Sequence, residues 1–472
     1  SPAMHHLLRM LEARTLEDTI AAVALVRPGA AESGMKEAYC RRRRGLEPPA
    51  FAHPRLARVL GSAYGVMLYE EDVMAVAAAV AGLSLAEGDD LRRAIGAARG
   101  DEEFRSLEGG FVAQAVRAGV DQDSARAVWR DLTRFAAYAF CKAHAAGYGA
   151  LGWQSAYLKT RFPAEWAVGI LNHHAGMYAT WVHVEDLRRH GVEFRPPCVL
   201  RSAWDARLET VPRPAVRVGL SCVFGLARAT ADRIVTEREA APFASFADFA
   251  DRVRPAPPEA EALILAGALD GTGRTRPSLL LEARVTDARR RRSGRPAPRA
   301  ADASLLPRAV SPLAVPELPE FDAAERVRGE CRASGLWFSA HPLDVLVHPS
   351  ARCGAVPAAA LAAHVGRRVA LVGLPCATRR VETARGEAML FLTLADRSGL
   401  AECVLFPPAY RALARAVRGQ ALRVEGRVEE TLGAVTVTVT GAALVGASPV
   451  AGAPQGRNAA AGAEIEAAAL DH

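Results

Sequence analysis

Phe135-Ala136-Ala137-Tyr138-Ala139-Phe140-Cys141-Lys142-Ala143-His144-Ala145-Ala146-Gly147-Tyr148 is the stretch on which the reading of this chain turns. It sets a cation and an imidazole side by side on one short segment. The small residues that follow let a ligand or a second helix approach the backbone closely. Just beyond it, Trp153-Gln154-Ser155-Ala156-Tyr157-Leu158-Lys159-Thr160-Arg161-Phe162-Pro163-Ala164-Glu165-Trp166 reads as an amphipathic helix closing at a proline. Residue by residue, the pattern permits phosphate binding without requiring it.

Working outward, residues 1–175 read as helical, with apolar positions at helical spacing in Leu7-Leu8-Leu11, Val73-Val76-Ala77-Val80 and Trp129-Leu132-Phe135. Residues 176–285 hold a short linking unit, a helix through Glu185 to His190 followed by an extended segment, and then short helices broken by glycine. Within them, Val218 to Val235 has the hairpin-of-helices pattern, with a turn containing Gly225 between an apolar run and a small-residue helix. A second, weaker copy runs from Phe243 to Asp270. Residues 286–363 open on an Arg-, Pro- and Ala-rich stretch and are expected to be a linker. From 364 to 446 the pattern alternates over Arg367–Thr378, Ala388–Asp396, Ala401–Phe406, Ala421–Glu429 and Ala434–Thr440, with a helix from Pro408 to Val417. Five strands with a helix between the third and fourth is the OB-fold order. Residues 447–472 are small and apolar or neutral, and a disordered tail is expected there.

Composition sets the outer limits. Across 472 residues, half of them hydrophobic, the chain can bury several cores. No long uncharged apolar run and no signal-peptide order occur, so a cytoplasmic protein without membrane association is expected. The eight cysteines are scattered without close pairs, and reduced thiols follow. A net charge of +7 permits nucleic-acid binding. Lys36, Lys142 and Lys159 are the only lysines in a chain otherwise rich in arginine, which singles them out. Neither His5-His6 nor His173-His174 has a histidine-carboxylate array around it, so no metal ligands are assigned.

As whole strings, the two opening segments resemble the fingers of bacterial C-family DNA polymerases, the DNA polymerase III alpha subunit and its error-prone homologue. Further strings follow the family order: Val26-Arg27-Pro28-Gly29 with Ser33-Gly34-Met35, then Tyr64-Gly65-Val66-Met67-Leu68-Tyr69-Glu70-Glu71 leading to Asp89-Asp90-Leu91-Arg92-Arg93-Ala94. Gly335-Leu336-Trp337-Phe338-Ser339-Ala340-His341-Pro342-Leu343-Asp344 resembles the family segment joining the hairpin and OB regions, with His341 structural. The resemblance implies a multidomain, mostly helical fingers region, then a helix-hairpin-helix region, then a β-rich OB-fold.

It also implies roles. Arg92 and Arg93 reach the triphosphate of an incoming dNTP, and Lys142 and His144 lie near the nucleotide or primer terminus. Paired guanidinium forks suit phosphate oxygens. Gly219, Gly225 and Arg228 of the hairpin contact primer-template DNA, and the OB module holds single-stranded template, with Phe391, Phe406 and Tyr410 as its few aromatics. The complete enzyme uses Mg2+ held by palm aspartates. Those ligands are not found in this chain, where Asp18, Asp89 and Asp90 read as capping or surface residues, so no catalytic residue is assigned and no nucleotidyl transfer is expected of the chain alone. No glutamine lies between Gln154 and Gln420 to supply a clamp-binding peptide. That absence tilts the reading toward the error-prone branch, in which a sliding clamp or translesion partner proteins act indirectly. The alternative is a stand-alone, non-catalytic DNA-binding accessory protein.

Overall fold

A computed structural model of the chain describes residues 1–27, 34–98, 100–136, 140–173, 176–210, 214–293, 315–383, 385–413 and 421–446. Two units emerge: Ser1–Leu158 with Glu430–Val435, and Lys159–Glu429 with Thr436–His472. The Pro28-Gly29 and Ser33 part of one sequence motif, and the tail expected from 447 onward, lie outside the described residues.

The first unit is helical, as its sequence predicts. Thr15 and Ser84 each open a helix, Leu16–Leu25 and Leu85–Ala97, with a capping box closed by Asp18 and Glu87. Reciprocal side-chain bonds of this kind satisfy the amide groups that a helix start leaves without partners. On the helix Glu70–Ala81, Val73, Val76, Ala77 and Val80 are all buried and pack with Phe111, Trp129 and Leu132. A second core gathers Leu7, Met10, Leu11, Leu25, Tyr39 and Cys40. Asp18 does more than cap. Its buried carboxylate accepts from the Arg43 guanidinium at 2.7 and 2.9 Å and from the backbone N–H groups of Arg14 and Thr15 at 2.9 and 3.0 Å. Burial opposes ionisation there, but the Arg43 guanidinium and the backbone donors outweigh it and hold the carboxyl at about 2.

The second unit carries the hairpin region and the barrel. A small sheet of β1 (Phe194–Arg195), β2 (Arg207–Glu209) and β3 (Ala215–Arg217) has the order β1-β3-β2. Glu209 joins Arg195 and Arg217 across it at 2.7 and 2.9 Å. Next, the helices Arg228–Ala240, Phe246–Val253, Pro257–Leu265 and Arg276–Ser293 close over a core that includes Leu220, Ile234, Phe249, Leu263 and Leu279. The five strands β4 (Arg368–Glu382), β5 (Ala388–Ala395), β6 (Leu400–Leu405), β7 (Leu422–Thr431) and β8 (Ala434–Leu444) form a closed barrel in the order β4-β5-β6-β8-β7. Its helix, Pro407–Leu413, sits between the third and fourth strands as the sequence order demands. Barrel closure needs close backbone approach: a Cβ on Gly426 would meet the Thr438 carbonyl oxygen at 2.4 Å.

The linker expected over 286–363 is not what the structure shows at either end. Arg276–Ser293 continues as helix through the arginine run, and Ala323–Ser334 is a capped helix followed by short helical turns. Val327, Cys331, Leu336 and Trp337 are buried in one core with Val372 and Leu374 of the barrel. These few apolar residues are scattered among charged ones, so no periodic stripe marks them in the sequence. Only 294–314 of the expected linker lies outside the described residues.

A buried ion network ties this part together. Arg276, almost fully buried, donates to Asp270 at 2.8 and 2.9 Å, to Glu330 at 3.0 Å and to the Leu265 carbonyl at 3.2 Å. Glu330, fully buried, also accepts the backbone N–H groups of Phe338 and Ser339 at 2.8 and 3.0 Å. Removing one partner of such a pair leaves the other charge buried and uncompensated. Arg276→Ala is therefore expected to cost about 3 kcal/mol or more in urea unfolding of the chain. For Asp18 the sign is that of a carboxyl whose folded pKa is depressed. Its contribution, about 2 kcal/mol, is present above pH ~4 and is lost as the pH falls toward ~2. Asp18→Asn, followed by thermal unfolding at pH 7 and pH 3, should lower the melting temperature at pH 7 and narrow the gap to wild type at pH 3.

Candidate nucleic-acid interface

Of the four basic or imidazole residues singled out in the first unit, Arg92 and the backbone of Lys142 are tied to a single helix start. Tyr69-Glu70-Glu71-Asp72 begins the helix Glu70–Ala81. Asp72 accepts from the backbone N–H groups of Leu68 and Tyr69 at 2.8 and 2.9 Å, which fixes the turn, and burial pushes its carboxyl up against those bonds. Glu70 then reaches Arg92 at 3.3 Å. Glu71 accepts the backbone N–H of Lys142 at 3.1 Å on both oxygens, so it anchors the start of the helix Lys142–Arg161. The Lys142 ammonium lies 5.4 Å from the Tyr69 ring centroid.

The arginine pair is not bare. Asp89, one turn back on the same helix, takes Arg92 at 2.8 Å on one oxygen and Arg93 at 2.5 Å on the other. The hydrogen bond from Arg92 is the main reason that the Asp89 carboxyl sits below its usual range. Arg92 is partly covered, whereas Arg93 is 68% exposed. His144 is exposed and lies between the Phe140 and Tyr148 rings, with centroids at 5.3 and 4.6 Å. Arg27 stacks on the far aromatic, 4.8 Å from the Phe140 centroid.

The helix that carries Lys142 departs from the amphipathic expectation. Only Ala145 and Gly149 are buried, and a Cβ on Gly149 would meet Ile20 at 2.7 Å. Tyr148, Trp153 and Tyr157 along it, and Phe162 just past its end, are all exposed, at 41–59%. Sequence reasoning passed over these aromatics because apolar residues at helical spacing usually signal a core.

In the second unit the hairpin turn has two faces. Gly225 takes the left-handed conformation, φ 78°, with open space around it, and neighbouring Phe224 is 37% exposed. Arg228 extends from the next helix with its side chain 62% exposed, paired with Asp232 at 2.9 Å and stacked 5.0 Å from the Trp204 centroid. Behind them, the buried Glu259 accepts from the Ala227 N–H and the Thr230 hydroxyl at 2.9 and 3.1 Å. Gly219 corrects the sequence reading. It is buried, and a Cβ there would lie 2.2 Å from the Trp204 carbonyl oxygen, so this glycine serves packing and faces no phosphate. The second hairpin copy is likewise filled: Gly267, φ 79°, backs onto the Arg276 guanidinium, 2.5 Å from where a Cβ would stand.

On the barrel, register aligns Arg379, Phe391 and Val404 across β4, β5 and β6. Phe391 is 41% and Phe406 46% exposed, while the neighbouring Leu390, Leu392 and Leu405 are buried. Strand alternation thus turns Phe391 outward, and Phe406 is exposed just past the end of β6, although their sequence pattern fits a core equally well. Tyr410, on the following helix, is half-buried.

Glu70, Glu71 and Cys141 are the metal-ligand cluster found among the described residues. They do not fit Mg2+. That ion takes hard oxygen ligands in a near-octahedral shell, whereas this set includes a thiol, and both carboxylates already serve Arg92 and the Lys142 amide.

Residues 1–119 match the family described as the bacterial DNA polymerase III alpha subunit finger domain. Residues 191–279 match the helix-hairpin-helix motif, and 377–445 the OB-fold nucleic acid binding domain. Over 93% of its length the chain is 32% identical to the error-prone DNA polymerase of Symbiobacterium thermophilum. Along nearly its whole length the chain is similar to bacterial C-family DNA polymerases. The error-prone DNA polymerase of Anaeromyxobacter dehalogenans is 34% identical over 95% of the chain, and that of Mycobacterium tuberculosis 33% over 91%. The chain spans 44%, 40% and 38% of these C-family relatives' own lengths. Among solved structures, asparaginyl-tRNA synthetase from Pyrococcus horikoshii aligns over 18% of this chain and 21% of its own, at 21% identity and a TM-score of 0.15, too little to argue from.

Proposed function

We propose that the chain is the nucleotide- and DNA-gripping portion of a DNA-directed DNA polymerase of the error-prone branch, acting in repair or translesion synthesis. What carries the reading is one helix start that ties Arg92 to Glu70 and the Lys142 backbone to Glu71, with Arg93 beside Arg92 on Asp89 and His144 on the same helix as Lys142. Arg92, held by carboxylates on both sides, and the exposed Arg93 next to it suit a polyphosphate. Arg92 and Arg93 offer planar forks to phosphate oxygens, and Lys142 adds a point charge. His144, edge-on to the Phe140 ring and tilted against the Tyr148 ring, presents an aromatic edge and its ring nitrogens to the base or the primer terminus.

The hairpin and barrel supply the grip on DNA. The open Gly225 turn lets backbone amides approach a phosphate, and Arg228 stands beside it, giving contact to duplex without reading sequence. The exposed Phe391, opposite Arg379 in the β4–β5 ladder, offers a face on which a template base stacks, and Phe406 adds a second exposed ring on the barrel. Phosphoryl transfer itself needs metal ions held by carboxylates, and that chemistry is assigned to the complete enzyme and to no residue of this chain.

The experiment is a titration of primed duplex and of single-stranded DNA by fluorescence anisotropy at low and high salt. Affinity for both should fall steeply with salt. Arg228→Ala should weaken duplex binding alike for all sequences and reduce the salt slope by about one. Phe391→Ala should weaken single-strand binding by about 1–3 kcal/mol and leave the duplex nearly untouched. Salt-independent binding, or none, would overturn the reading.

A further inference from the structure

The cations of the fingers patch arrive already paired. Arg92 lies between Glu70 at 3.3 Å and Asp89 at 2.8 Å, and its side chain is 26% exposed. Arg93 shares Asp89. Glu71, next to Glu70, spends both oxygens on the Lys142 backbone amide. The two neighbouring glutamates therefore do different things, one holding a side-chain charge and the other holding a helix start.

We infer that Glu70 is a placeholder anion, a positioning residue that orients the Arg92 fork while the patch is empty and that a phosphate group must displace on binding. The inference rests on the nucleotide-binding reading of Arg92. An arginine held in place loses less side-chain freedom when it takes up a phosphate, which favours correct geometry. The same carboxylate competes for the fork and repels the polyanion, which lowers affinity. Asp89 is the partner that remains: it lies on the same helix as both arginines and bonds Arg92 through Nε as well as Nη2. Glu70 holds Arg92 from another helix by one longer contact, so it is the anion that leaves. Glu70 thus sets a threshold, making weakly held polyanions give way while a triphosphate with several contacts prevails.

The test titrates dATP and, separately, inorganic tripolyphosphate into the 472-residue chain, as wild type and as the Arg92→Ala, Glu70→Gln and Glu71→Gln variants. Circular dichroism melting checks that each is folded. Glu70→Gln should tighten both ligands about two- to five-fold, the range expected for releasing a part-exposed ion pair. The gain should shrink at high salt. Glu71→Gln should bind no more tightly than wild type. Unchanged or weaker binding by a folded Glu70→Gln, while Arg92→Ala loses affinity, would overturn the placeholder role and leave the nucleotide reading standing. Equal tightening in Glu71→Gln would also overturn it, since the effect would then be one of net charge. No binding by wild type, or none lost in Arg92→Ala, would remove the nucleotide reading and the inference with it.

Discussion

Arg276 and Glu330 form the interaction on which the second unit depends. Between them they hold the Leu265 carbonyl, Asp270, and the backbone amides of Phe338 and Ser339, drawing together segments far apart in the chain. A buried pair of this kind gains little against an apolar equivalent, since desolvation offsets the attraction. Its value lies in geometry. Each guanidinium donor that bonds has an acceptor in a fixed direction, so the Gly267 turn and the segment before the barrel can settle in only one arrangement around it.

Carboxylates play the same organising part near the functional surfaces. Glu259 fixes the start of the helix after the Gly225 turn, and Glu71 fixes the start of the helix that bears Lys142 and His144. In each case a negative group satisfies amides at a helix start, where the dipole is positive and unpaired N–H groups are costly to bury. The scaffold thereby decides which helix-start amides are already satisfied from within. Around Gly225 the turn stays open, whereas the corresponding glycine of the second hairpin, Gly267, is stopped by Arg276.

Much of this was legible in the residues. The Val73-Val76-Ala77-Val80 stripe and the five alternating segments with an intervening helix specified helices and a barrel before any contact was known. Arg92, Arg93, Lys142 and His144 were singled out only through the strings that carry them. The failures have a common cause. A glycine reads the same in sequence whether it faces solvent, as Gly225 does, or a carbonyl oxygen, as Gly219 does. The stretch from 323 to 364 buries Val327, Cys331 and Trp337 among charges, and no periodicity announces it.

Sequence by itself determined the order and type of the elements, because caps, apolar spacing and alternation are local constraints written within a few residues of where they act. Tertiary structure alone decided which groups the charges meet. Glu70 with Arg92, Glu71 with the Lys142 backbone amide, Asp18 with Arg43 and Arg276 with Glu330 are separated by 22, 71, 25 and 54 positions, distances over which no local pattern selects a partner. Coulomb and hydrogen-bond energies depend on separation in space, and only the packing of the helices sets that separation.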